Sequence, residues 1–136
     1  MPVASVLTAL AVLLPAIPAG AADWPEFNID SRHNGSNLQE TIINSGNVST
    51  LHVLYHVTLP SVADGPPVFL TGVATAAGIK DLLFLTTKAG HILALDAATG
   101  VTVWSHQPAT GPNYTTSSPA IDPNRLYVYS YGLEGK

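Results

Sequence analysis

The sequence predicts an all-β chain made of short strands in a repeating unit, and three observations carry that reading. Of its 136 residues 46% are hydrophobic and only 10% charged, with 11 glycines and 11 prolines. This balance suits short strands broken by many tight turns. Apolar and β-branched runs recur at 82–87, 92–95 and 101–103, each bounded by turn residues. Finally, residues 82–91 align with 127–136 at an offset of 45, the apolar alternation and the closing glycine both recurring. A repeat of this length built from four strands is the size of one propeller blade.

The chain begins with a segment that reads as a targeting sequence. Residues 6–17 are apolar but too short to span a bilayer comfortably, and Ala19-Gly20-Ala21 supplies the small-x-small pattern of a cleavage site. A signal peptide over 1–21, a mature domain over 22–136 and a secreted or periplasmic location are therefore expected, with no membrane span after cleavage. Met1 to Ser5 departs from the usual pattern in carrying no Lys or Arg. The chain has no cysteine, so an exported form must rest on packing and sheet hydrogen bonds, without a thiolate-bound zinc or a covalently attached haem. A net charge of −4 and the lack of basic clusters argue against nucleic acid as a partner.

The first strand expected in the mature domain is 51–57, where Val53, Tyr55 and Val57 alternate; it reads as the lone fourth strand of a preceding blade. A complete blade follows, with strands near 67–70, 82–87, 91–95 and 101–106 and a longer loop around 72–79. Between its third and fourth strands lies Ala94-Leu95-Asp96-Ala97-Ala98-Thr99-Gly100. There Asp96 can accept backbone N–H groups two or three residues on, Thr99 can bond locally, and Gly100 can take φ > 0 without steric cost. Trp104 closes the unit with a large apolar ring and one N–H donor. Residues 118–121 and 126–131 begin another blade. The expected architecture is thus a partial β-propeller: one complete four-stranded blade plus parts of its two neighbours.

The spacing A-x-D-x-x-T-G-x-x-x-W at Ala94, Asp96, Thr99, Gly100 and Trp104 resembles the tryptophan-docking motif of the pyrroloquinoline-quinone-type (quinoprotein alcohol dehydrogenase-like) β-propeller repeat. Val101 departs from it, standing where a basic residue is common. Asp23-Trp24-Pro25 and the later Asn44, Asn47, Val48 and Leu51 resemble the amino-terminal signature of the same family. In the lone fourth strand at 51–57, Tyr55 takes the place that Trp104 holds in the blade. The resemblance implies Trp residues that lock blades into a girdle, and dehydrogenases that oxidise alcohols or sugars with pyrroloquinoline quinone and calcium in a complete propeller. It also implies a ring of adjacent cysteines over the quinone, which this chain lacks. A non-catalytic propeller acting as a binding or assembly scaffold is the alternative, because the motif serves blade cohesion and one fold hosts many functions.

No catalytic, cofactor-binding or metal-ligating residue is assignable from spacing. His52 and His56 share a strand face but lie about 13 Å apart, too far for one ion. Asp96 and Asp122 are expected in turns, Glu26 and Glu40 in solvated loops. Tyr127, Tyr129 and Tyr131 line one strand face and are expected to pack. Three sequons, at Asn34, Asn47 and Asn113, imply exposure where the host glycosylates exports. One blade with parts of two others cannot close a ring of roughly four to eight blades. The remaining blades, from the same longer chain or other subunits, are the expected partners, and the chain by itself is expected to be inactive.

Overall fold

The computed structural model describes residues 21–107 and 117–131. Residues 1–20 of the expected signal peptide (1–21), the Asn113 sequon and the repeat's closing residues 132–136 lie outside these. Within them the chain is all-β apart from one 3-10 turn at Val48–Thr50.

Four strands, β1 (Val68–Thr75), β2 (Gly78–Thr86), β3 (Ile92–Asp96) and β4 (Thr102–His106), form an antiparallel meander in the order β1-β2-β3-β4. Strands β5 (Ala120–Ile121) and β6 (Val128–Tyr129) form a separate antiparallel pair. This is one four-stranded blade followed by the first two strands of a second, as the sequence predicts. The region expected as a long loop, 72–79, is instead the far end of the β1-β2 hairpin. Val73, Thr75 and Ile79 suit a strand, the turn needs only Ala76 and Ala77, and Gly72 and Gly78 provide positive φ at a bulge and at the turn exit. Residues 51–57 enter no named strand among the described residues, although Tyr55 and Val57 still alternate inward. Among the described residues no strand lies beside this segment to pair with it.

Period-2 alternation divides the blade's apolar residues between two faces. Leu85, Leu93 and Leu95 pack under Val57, Leu59 and Ala63 from the preceding segment. On the other face Val68, Leu70, Leu82, Phe84 and Ala94 pack with Ile121 and Val128 from the second blade. The 45-residue offset therefore has a structural meaning. Leu82 and Phe84 are buried beneath β5 and β6, whereas their counterparts Tyr127 and Tyr129 are exposed, at 63% and 58%. Tyr131 is likewise exposed. The expectation that these tyrosines pack is not met among the described residues; Tyr127 and Tyr129 only lean on each other, with ring centroids 6.4 Å apart.

The amino-terminal segment ties the two blades together. Trp24 exchanges backbone hydrogen bonds with Phe69 on the free edge of β1, at 2.8 and 2.9 Å. One residue on, the Pro25 carbonyl accepts the Ile121 N–H of β5 at 2.8 Å. Asp23 Oδ1 accepts both the N–H and the hydroxyl of Thr71, and Arg125 reaches back to Asp23 and to the Thr71 carbonyl. At the opposite end of the strands, the entry segments of the two blades cross closely. Thr86 donates its hydroxyl to the Ser117 carbonyl at 2.5 Å, and a Cβ on Gly65 would sit 2.8 Å from the Ser117 backbone. Because backbone rather than a flexible side chain stands there, Gly65→Ala should lower stability by about 1–3 kcal/mol. Urea unfolding of the variant against the parent chain measures this.

Candidate functional site

The turn joining β3 to β4 is the most highly specified feature of the described residues. Its backbone closes on Asp96: the Asp96 carbonyl accepts the N–H of Gly100 at 2.8 Å and of Thr99 at 3.3 Å, and the Asp96 N–H donates to the Val101 carbonyl at 2.9 Å. The Asp96 carboxylate accepts the Ala98 N–H at 2.9 Å, and the Thr99 hydroxyl accepts the Val101 N–H at 3.3 Å. Gly100 has φ 74°, the left-handed region that favours glycine. The roles expected of Asp96, Thr99 and Gly100 are all met.

Ala94 and Trp104 gain a reason that spacing did not give. Phe84, Ala94 and Trp104 stand opposite one another on β2, β3 and β4, in one row across the sheet. Ala94 is fully buried, and the rings of Phe84 and Trp104 approach over it to 6.0 Å between centroids, tilted by 50°. A larger side chain at 94 would wedge them apart. Trp104 nevertheless remains 39% exposed. It lines an open groove of about 630 Å³, shared with Phe84, Val103, Leu126 and Tyr127.

An aromatic residue from the preceding segment docks on this turn. The Tyr55 hydroxyl donates to the Ala97 carbonyl at 2.7 Å. Its ring lies flush on Gly100, where an added Cβ would come within 2.6 Å of the ring carbon Cδ2. Glycine at 100 therefore answers two demands, positive φ and close approach. Tyr55, expected in the place equivalent to Trp104, thus meets the very turn that the motif defines.

Residues that the sequence did not point to hold the turn from behind. Lys80 Nζ bonds Asp96 Oδ2, and the next residue on β2, Asp81, accepts the Ala97 N–H on its carbonyl at 2.9 Å. Asp81 Oδ1 accepts the Gly72 N–H at 2.8 Å, continuing the contacts toward Thr71, Asp23 and Arg125. These were hidden because 72–79 read as a loop, which left Lys80 without a strand on which to face Asp96. The ammonium of Lys80, then the backbone N–H groups of Ala98 and Thr99, hold the Asp96 carboxyl below the ordinary aspartate range.

Three further acidic groups serve local turns. Asp122 accepts the N–H groups of Asn124, Leu126 and Tyr127, which lower its pKa, and Glu40 accepts those of Ile42 and Ile43, with the same effect. The Arg32 side chain does this for Asp30. His52 and His56 are exposed and are not brought together with other ligating groups. Among the described residues, no group of three or more His, Cys, Asp or Glu side chains could hold a metal ion. No helix among them is long and apolar enough to cross a membrane.

A four-stranded blade followed by the start of another, with an aromatic from the preceding segment seated on its β3-β4 turn, defines a β-propeller domain. The family model for the glucose/ethanol/alcohol dehydrogenase β-propeller domain, the PQQ family, matches residues 24–123, and the chain belongs to that family. Comparison with curated proteins and with solved structures gives no match.

Two outcomes test the docking site. Tyr55→Phe should cost about 0.5–1.5 kcal/mol by removing the donor to Ala97, and Gly100→Ala should cost more, since it adds backbone strain of about 1–2 kcal/mol to a collision with the ring. Urea unfolding orders the two. Because the folded-state pKa of Asp96 lies below its unfolded value, its contribution is full above that unfolded value, about pH 4, and is lost as pH falls through the folded one. Acid unfolding curves of the parent chain and Asp96→Asn should therefore converge at low pH and separate above it.

Proposed function

We propose that the chain is an exported, secreted or periplasmic, part of a quinoprotein-dehydrogenase-type propeller, inactive by itself and completed by further blades. The observation that carries this reading is the docked Tyr55. It supports a lock in which an aromatic at the end of one blade's fourth strand seats on the next blade's A-x-D-x-x-T-G turn. By the same rule Trp104, 39% exposed, is the lock for the blade that follows, and the groove beside it is filled by that blade's outer strands. Tyr127, Tyr129 and Tyr131 face a third blade, in the register in which Leu82 and Phe84 face the second.

In such a ring, pyrroloquinoline quinone and calcium would supply oxidation of an alcohol or sugar. The described residues do not fit those groups. No ligand cluster forms, and Asp96 and Asp122 are committed to Lys80 and to backbone N–H groups. Quinone and calcium ligands therefore belong to other blades, and no chemical step is assigned to this chain. That commitment of its carboxylates to turns also favours the second reading, a non-catalytic scaffold propeller.

The decisive assay is dye-linked alcohol and sugar oxidation with added pyrroloquinoline quinone and calcium. The 136-residue chain should give no turnover, and the complete ring should give turnover dependent on both additions. Robust activity from the chain alone would overturn the fragment reading. A folded, complete ring with none would leave the scaffold. For the location, expression with the leader intact should place a chain beginning at Ala22 outside the cytoplasm, read by mass spectrometry.

A further inference from the structure

We propose that Lys80 is a positioning residue of the docking turn: reaching across from β2, it fixes the Asp96 carboxylate and so holds the turn in the shape on which Tyr55 seats. The proposal rests on reading the Tyr55 contact as the inter-blade lock.

Three observations carry it. First, two consecutive residues of β2 grip two consecutive residues of the turn. Lys80 holds the Asp96 side chain and the Asp81 carbonyl holds the Ala97 N–H, the latter at 2.9 Å. Second, the grip and the docked ring meet the turn from opposite faces. Lys80 alternates in phase with Leu82 and Phe84 on the second-blade face, whereas Tyr55 arrives with Val57 from the preceding segment. Third, Asp96 is only 7% exposed while bonding the Ala98 N–H through its other oxygen. Without a cation the carboxylate would be a nearly buried, uncompensated charge, free to abandon Ala98 for solvent. The turn itself carries no basic group, and Val101 at its exit is apolar. Lys80, sixteen residues upstream of Asp96, supplies the charge from the neighbouring strand.

The Lys80 ammonium bonds Asp96, whereas Ala97 and Tyr55 bond Asp81 and each other, so the effect of Lys80 on the lock passes through Asp96. The test follows the Tyr55 hydroxyl by NMR in the full chain labelled at tyrosine Cζ, with Tyr55→Phe assigning the signal and backbone amide exchange recorded alongside. Lys80→Met should speed exchange of the Tyr55 hydroxyl roughly fivefold or more, the scale of one lost hydrogen bond. Amide protection at Leu85 and Leu93 should be unchanged, and Lys80→Arg should restore the parent rate within about twofold. Lys88→Met, which breaks the separate ion pair to Asp64, should leave Tyr55 alone. If Lys80→Met does not fold, Lys80→Gln gives the same comparison. An unchanged Tyr55 rate, an equal rise across all sheet amides, or an arginine variant as defective as the methionine one would overturn the role of Lys80. A Tyr55 hydroxyl already unprotected in the parent chain would instead sink the lock itself, and the role of Lys80 with it.

Discussion

The contact that sets how the preceding segment lies on the blade is the seating of Tyr55 on the turn between β3 and β4. A blade is a small sheet with two apolar faces, and neither can be left to water. Covering them requires that consecutive sheets be held face to face at a fixed angle, which apolar packing alone does not set because it is non-directional. The Tyr55 hydroxyl supplies direction by choosing the Ala97 carbonyl, and Gly100 supplies the flat surface that lets the ring approach. On the same side, Val57 and Leu59 pack on Leu85, Leu93 and Leu95.

Much of this was legible in the residues. The β3-β4 turn is specified by local chemistry, an aspartate that binds the N–H two residues on and a glycine at positive φ, and local chemistry is what a sequence displays most openly. The repeat of 82–91 in 127–136 displayed the two-faced blade, and the structure shows its consequence in buried Leu82 and Phe84 against exposed Tyr127 and Tyr129. Less legible was the length of the β1-β2 hairpin, because its glycines read as loop residues although they serve a bulge and a turn exit. With the hairpin went Lys80 and Asp81, whose partners lie across strands rather than along the chain. The role of Ala94 was equally hidden, since only the strand register places Phe84 and Trp104 on either side of it.

The carboxylates of Asp96 and Asp122 are committed to the backbone of their own turns. A carboxylate that accepts two or three backbone N–H groups is stabilised in its ionised form and has little capacity left for a substrate proton or a metal. Asp96 and Asp122 are both in that state. Their position in turns at the ends of strands is the same property that makes them recognisable as repeat markers.

The strap formed by Asp23, Trp24 and Pro25 has a consequence for the order of assembly. Its partners, Phe69 and Ile121, are far along the chain, so these are among the most non-local contacts in the described structure. A chain made from its amino terminus exposes Trp24 first but cannot seat Pro25 against Ile121 until nearly the whole segment has emerged. Non-local pairings of this kind close late, because the entropy of a long loop must be overcome before the contact repays it. Residues 23–25 are therefore synthesised before every strand they bind, yet are among the last to be fixed in place.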